Sequence, residues 1–203
     1  MFTALLLLLM LNLYGIALTA YAAFPPATPP GEQRGMVRIG LSSVDSSAVC
    51  SDGTEASFYW RNCTANADRP PGDKDDYCEK GGRNGVDKNY WFVSFETAGS
   101  CYDAGSCNAR RAATPQLMSS GSQPRSIFPS GALSCFPEEN PNFYKSTMVF
   151  VPSCSSDEFL GDTGAAVGKP AFQGARIMEA VFRRLASALG SADVLVVSGA
   201  AGV

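Results

Sequence analysis

Three nearly unbroken apolar runs organise the chain: YWFVSF at residues 90–95, TMVFVP at 147–152 and DVLVVS at 193–198. They lack the strict alternation of a half-exposed strand, so they predict strands covered on both faces. Earlier, MVRIGLSS and EASFYWR are short β-like runs on either side of CSDGTEA. The Asp52-Gly53 pair there favours a positive φ, which predicts an antiparallel hairpin. Residues 171–190, AFQGARIMEAVFRRLASALG, change period. Met178, Val181, Phe182, Leu185 and Leu189 fall on one helical face, with Arg176, Glu179 and Arg183 elsewhere, and Gly190 stands where a C-cap belongs. Strand, helix and strand at this spacing form a βαβ crossover, so the class is α/β, with a mainly parallel sheet flanked by helices. Ligands in such sheets sit at the carboxyl ends of the strands. The turn expected after Ser198, Ser198-Gly199-Ala200-Ala201-Gly202, is therefore where chemistry is sought.

The remaining segments have little core of their own. Residues 1–23 are almost wholly apolar and close on Ala20-Tyr21-Ala22, a small-residue pattern that predicts a signal peptide cut after Ala22 or Ala23. The alternative is a signal anchor in the membrane, since a run of that length can span a bilayer. Residues 24–47 read as a proline-rich arm followed by the first strand, and 48–203 as the body of the domain. Residues 62–88 are polar and glycine-bearing, and predict a surface insertion stapled by Cys63 and Cys78. The insertion opens on a glycosylation sequon at Asn62. Its Asp73, Asp75 and Asp76 lack the acid spacing of a calcium loop and read as solvated charge.

Composition narrows the chemistry. A net charge of −3 over 203 residues gives no electrostatic reason for a nucleic-acid partner or an anionic membrane surface. Seven cysteines, no histidine and no CxxC pair argue against a zinc site and for disulfides in an oxidising compartment. An odd count leaves one cysteine over. Glu138-Glu139, between Pro137 and Asn140-Pro141, read as turn carboxylates that satisfy loop N–H groups rather than as an acid/base pair.

The turn after the last strand has the small-residue pattern of a G-x-S-x-G nucleophile elbow without the serine. Several spaced segments carry a more specific resemblance. AVCSDGTEASFYWR matches an opening motif through Ala48, Val49, Cys50, Asp52, Gly53 and Tyr59, and WFVSFETAGSC a second through Trp91, Glu96 and Cys101. GALSCFPEENP, then a strand and SCSSDEFLGD, match through Gly131, Leu133, Ser134, residues 137–141, Cys154, Ser155, Asp157 and Gly161. From about residue 48 to 203, the insertion aside, the chain resembles the N-terminal half of the pectin acetylesterase and Notum family of secreted carboxylesterases.

The resemblance implies an α/β-hydrolase-like sheet cut short after the elbow strand. It further implies an acyl-enzyme mechanism that needs no metal or organic cofactor, and an acylated polysaccharide or acylated protein as substrate. Aligned on Gly199, Ala201 stands at the nucleophile position. The oxyanion-hole donors fall on Ala98 and Gly99, in the segment after Glu96, and on Gly202. Thr97 and Ala98 replace two family glycines, a loss that matters wherever the backbone needs a positive φ. The family's Asp and His would follow the elbow, and the chain ends two residues after Ala201, so no catalytic set is intact. The cysteines then pair as Cys50–Cys154, Cys101–Cys107 and Cys63–Cys78, leaving Cys135 over. The expectation is a secreted, stable-span-free chain that is a fragment or inactive form of a carboxylesterase. The alternative is a secreted non-catalytic binding protein that uses the insertion as its contact surface.

Overall fold

A computed structural model describes residues 35–61, 89–134, 136–164 and 169–201. The leader, most of the arm, the insertion with Asn62, Cys63 and Cys78, and Cys135 lie outside these residues. The strands are β1 (Met36–Gly40), β2 (Ser57–Arg61), β3 (Tyr90–Thr97), β4 (Ser126–Ile127), β5 (Thr147–Val151) and β6 (Val194–Ala201). The helices are α1 (Ala104–Ala113) and α2 (Gly174–Leu189), with short 3-10 turns at Pro115–Leu117 and Gly131–Leu133.

The six strands form one sheet in the order β4-β1-β2-β5-β3-β6. β3 lies between β5 and β6 and runs parallel to both. The β5–α2–β6 crossover therefore passes over β3 and produces parallel strands as expected, though not adjacent ones. The other three pairings, β1–β2, β1–β4 and β2–β5, are antiparallel. The sheet is thus mixed rather than mainly parallel over the described residues. The reason lies at the start of the chain: an opening hairpin brings in antiparallel strands before any helical crossover is made. Gly53, at φ +85°, turns the tip of the connection between β1 and β2, closed by a bridge between Val49 and Glu55.

The continuous apolar runs make physical sense in this order. β3 and β5 are interior strands with packed faces on both sides. Trp91, Val93, Phe95, Val149 and Val151 meet Ile177, Ala180, Val181 and Leu185 of α2 on one face. On the other, Phe92 and Met148 pack with Tyr59, Leu133 and Phe143. The α2 stripe is centred on Ile177, Val181 and Leu185, all essentially fully buried, with Met178, Phe182 and Leu189 at its margins. Each such side chain contributes about 1.5–3 kcal/mol on burial.

β6 departs from the pattern. Among the described residues it is an edge strand, and there Leu195 and Val197 are 44% and 53% exposed. The strand also continues to Ala201 rather than turning after Ser198, because its parallel ladder with β3 runs on to Thr97. Gly199 consequently lies in strand, outside the positive-φ region.

Candidate active site

The carboxyl ends of β3, β5 and β6 lie side by side, and the connections leaving them build the site. In the parallel register Glu96 pairs with Ala200 and Thr97 with Ala201. Ala201, the position expected from the resemblance to take the nucleophile, is thereby set beside Thr97, at the start of the segment expected to supply oxyanion donors. Gly202 lies outside the described residues. Ser198 pairs with Ser94 three positions back along β6, within the strand and away from its end.

The segment after β3 turns at Gly99, where φ is +74°. Thr97 and Ala98 have no positive φ, so the left-handed step falls on the glycine the chain retains and the loss of the two family glycines leaves the turn unstrained. The Ala98 carbonyl accepts from Arg110 Nη2 at 2.5 Å, and Arg110 Nε donates to Ser156 Oγ at 2.9 Å. Ser156 is fully buried; its hydroxyl donates to the Leu117 carbonyl at 3.0 Å, and its own carbonyl accepts from the Cys101 N–H at 3.0 Å. Arg110 thus ties the exits of β3 and β5 together.

Helix α1, which carries Arg110, escaped the sequence reading because only Cys107 in it is buried. Its local signal is Asp103-x-x-Ser106, a capping box. Asp103 Oδ1 accepts from the Ser106 N–H at 2.6 Å, and the Asp103 N–H donates to Ser106 Oγ at 3.0 Å. The Ser106 backbone N–H and hydroxyl hold the Asp103 carboxyl below its ordinary value. The Cys101–Cys107 disulfide closes the same turn.

The exit of β5 is equally constrained. Glu96 Oε2 accepts from the Ser153 N–H at 2.9 Å, linking the ends of β3 and β5. Cys154 is bonded to Cys50. Ser156, Glu158 and Phe159 all have positive φ, between 52° and 62°. Asp157 holds that unusual run: Oδ1 accepts from Ser155 Oγ at 2.5 Å and from the Phe159 N–H at 3.2 Å, and Oδ2 accepts from the Gly174 N–H at 2.8 Å. Gln173, the N-cap residue of α2, makes no side-chain capping bond, and Asp157 supplies a carboxylate at that helix end from a distance in sequence.

On the same rim a cavity of about 520 Å³ lies between the start of α1 and residues 163–164 and 169–172. Tyr102, Asp103, Arg111, Lys169 and Phe172 are among its walls, and its size is in the range of small-molecule sites. Glu138 and Glu139 are exposed and stand in a turn that another side chain holds. That residue is buried Asn140, which donates to the Ala132 and Ser134 carbonyls at 2.9 and 3.0 Å and accepts from the Phe143 N–H at 2.9 Å. An amide both donates and accepts, so it satisfies carbonyls that a carboxylate would repel. Among the described residues no group of three or more potential ligands is placed to hold a metal ion, and no helix is long and apolar enough to cross a membrane.

Comparison with known proteins gives a consistent result. The pectinacetylesterase family profile matches residues 76–202. The chain is 31% identical over 158 residues to the palmitoleoyl-protein carboxylesterase NOTUM of Homo sapiens, covering 77% of this chain and 27% of that protein. Similarity to the Drosophila melanogaster palmitoleoyl-protein carboxylesterase NOTUM is 30% over 171 residues, or 81% of this chain and 22% of that one. It is 33% identical over 119 residues to the inactive palmitoleoyl-protein carboxylesterase notum1b of Danio rerio, covering 59% of this chain and 70% of the relative. The chain spans about 27% of the length of the first of these relatives.

Proposed function

The chain belongs to the pectinacetylesterase family, and on that premise we propose that it carries the ester-binding half of a carboxylesterase site without the means to cleave the ester. One observation carries the reading: the parallel register sets Ala201 beside Thr97, at the mouth of the Ala98–Gly99 turn. In the resemblance these are the nucleophile position and the oxyanion segment. An alanine methyl cannot attack a carbonyl, and no histidine within these 203 residues can act as its base. Ser198, three residues back along the strand, is not a substitute.

The substrate class follows from the family and the relatives' names: an ester-linked acyl group, either acetyl on a pectin-like polysaccharide or a fatty acyl group on a protein. The protein ester is favoured, because the relatives found are named for a palmitoleoyl-protein substrate. A longer product bringing a nucleophile, an Asp and a His to this scaffold would release the acyl group through an acyl-enzyme. The chain itself is a binder of acyl esters. Its disulfides, and a leader over residues 1–23, fit an extracellular setting.

Two measurements on the full chain test this. Hydrolysis of p-nitrophenyl acetate and p-nitrophenyl octanoate is expected at the buffer rate. Calorimetric titration with a fatty-acyl methyl ketone, which keeps the carbonyl and lacks the ester, is expected to saturate. Turnover above buffer would overturn the silent-site reading, and absence of saturable binding would overturn the binding one.

A further inference from the structure

The oxyanion segment has an unusual support. Ala98 O is held by Arg110 Nη2 at 2.5 Å, and the same guanidinium is anchored through Nε on the buried Ser156 hydroxyl at 2.9 Å. None of the described peptide bonds is cis, so the N–H of Gly99 points opposite to the Ala98 carbonyl, away from Arg110. Among the described residues that N–H has no hydrogen-bond acceptor. Gly99 has a positive φ, and a Cβ built there would lie 3.7 Å from Arg110 Nη1, so the guanidinium lies alongside the turn as well as bonding to it. A Gly-containing turn is free to flip its peptide plane unless a neighbour fixes it.

We infer that Arg110 is a positioning residue: by holding the Ala98 carbonyl it keeps the Gly99 N–H turned out as a free donor for the carbonyl oxygen of a bound acyl group. This rests on the ester-binding reading above. Arg110 itself touches no substrate. Its guanidinium is suited to the task because it is permanently charged and planar, and offers several donors in a fixed fork, so one group can bond a carbonyl and a hydroxyl at once. The support is rigid at every joint. Arg110 sits in α1, whose first turn is closed by the Cys101–Cys107 disulfide, and Ser156 is fixed by its bonds to Leu117 and Cys101.

The test is a titration of the 15N-labelled full chain with sodium octanoate, whose carboxylate oxygen stands in for the acyl carbonyl, read at the Gly99 amide. In the unaltered chain the Gly99 resonance is expected to move and saturate. In Arg110→Met the apparent affinity read at Gly99 should fall about tenfold, as for loss of a charge-assisted hydrogen bond, with the other α1 and β3 amides unmoved. Arg110→Lys, which can still bond the Ala98 carbonyl, should recover most of the response. An equal Gly99 response in the unaltered chain and Arg110→Met overturns the role of Arg110 and leaves the ester-binding reading standing. No Gly99 response in the unaltered chain overturns that reading and the inference with it. If Arg110→Met does not fold, Ser156→Ala replaces it: it frees the guanidinium from its anchor, and an unchanged Gly99 titration there overturns the inference.

Discussion

The two glycines that bound α2 should respond to alanine with opposite sign. A Cβ on Gly174 would run into Asp157 Oδ1 and the Phe159 Cα, and lie 2.8 Å from the Phe159 backbone nitrogen. Backbone cannot swing aside as a side-chain tip can, and Phe159 is already committed to φ +62° by Asp157. Relief requires moving the whole turn after β5. That breaks the Gly174–Asp157 bond, a charged hydrogen bond of about 1.5–3 kcal/mol, or leaves an overpacked joint costing about 1–3 kcal/mol. Alanine's helix preference returns at most about 1 kcal/mol. The net cost is about 0.5–3 kcal/mol, or roughly 1–12 °C in Tm for a chain of this size. Gly190 at the other end has φ −60°, an ordinary right-handed value, and a Cβ there meets only the Ala186 and Ser187 carbonyl oxygens at 3.6 Å. Gly190→Ala should therefore stabilise by about 0.4–1 kcal/mol through the unfolded state. Urea unfolding of both variants against the unaltered chain reads the two signs. A neutral Gly174→Ala would refute the close packing of α2 on the turn after β5, and a destabilising Gly190→Ala would refute the right-handed end of the helix.

Other perturbations probe separate joints. Removing the Cys50–Cys154 bond, which spans 104 residues, should cost about 5 kcal/mol in the loop-entropy picture, against about 2 kcal/mol for Cys101–Cys107, separated by 6; paired Cys→Ala variants compared by thermal unfolding check the order. Asn140→Ala leaves buried loop groups unpaired and should destabilise by about 2–4 kcal/mol. The double variant Glu138→Gln, Glu139→Gln should stay within about 0.5 kcal/mol of the unaltered chain, as surface changes do. The Ser42 hydroxyl and backbone N–H hold Glu55 below its ordinary value of 4.5. A depressed carboxylate stabilises the fold above its unfolded pKa and loses that contribution as pH falls through the folded one. Glu55→Gln should thus be less stable than the unaltered chain at neutral pH, with the gap closing in the acid range below 4.5; a gap that widens on acidification would contradict it.

The parts of the fold legible in sequence were those with a long repeated signal. The apolar runs of β3 and β5 are interior strands because both their faces are packed, and the 3.6 period of α2 is its buried stripe. Burial alone did not reveal α1, since its role is carried by a capping box and a single arginine rather than by an apolar face. β4 has two residues, too few to form a pattern. The extent of β6 depends on its partner: Gly199, Ala200 and Ala201 read as a turn until the ladder to Phe95, Glu96 and Thr97 draws them into strand. At the site, the Cys50–Cys154 and Cys101–Cys107 pairs are the ones the family resemblance implies. Arg110, Ser156 and Asp157 act through contacts 12 to 46 residues away, and such partners have no local signature. Asn140 rather than Glu138 or Glu139 holds its turn because a turn full of carbonyls needs a donor, which an ionised carboxylate lacks.

The most direct measurement of a silent ester site is the mass of the full chain after incubation with excess p-nitrophenyl acetate and, separately, with an alkyl fluorophosphonate. No covalent adduct on any serine, with nitrophenol released only at the buffer rate, is the result expected for Ala201 at the nucleophile position. A stoichiometric adduct mapped to Ser198, accompanied by a burst of nitrophenol, would contradict it and make Ser198, within β6, a working nucleophile.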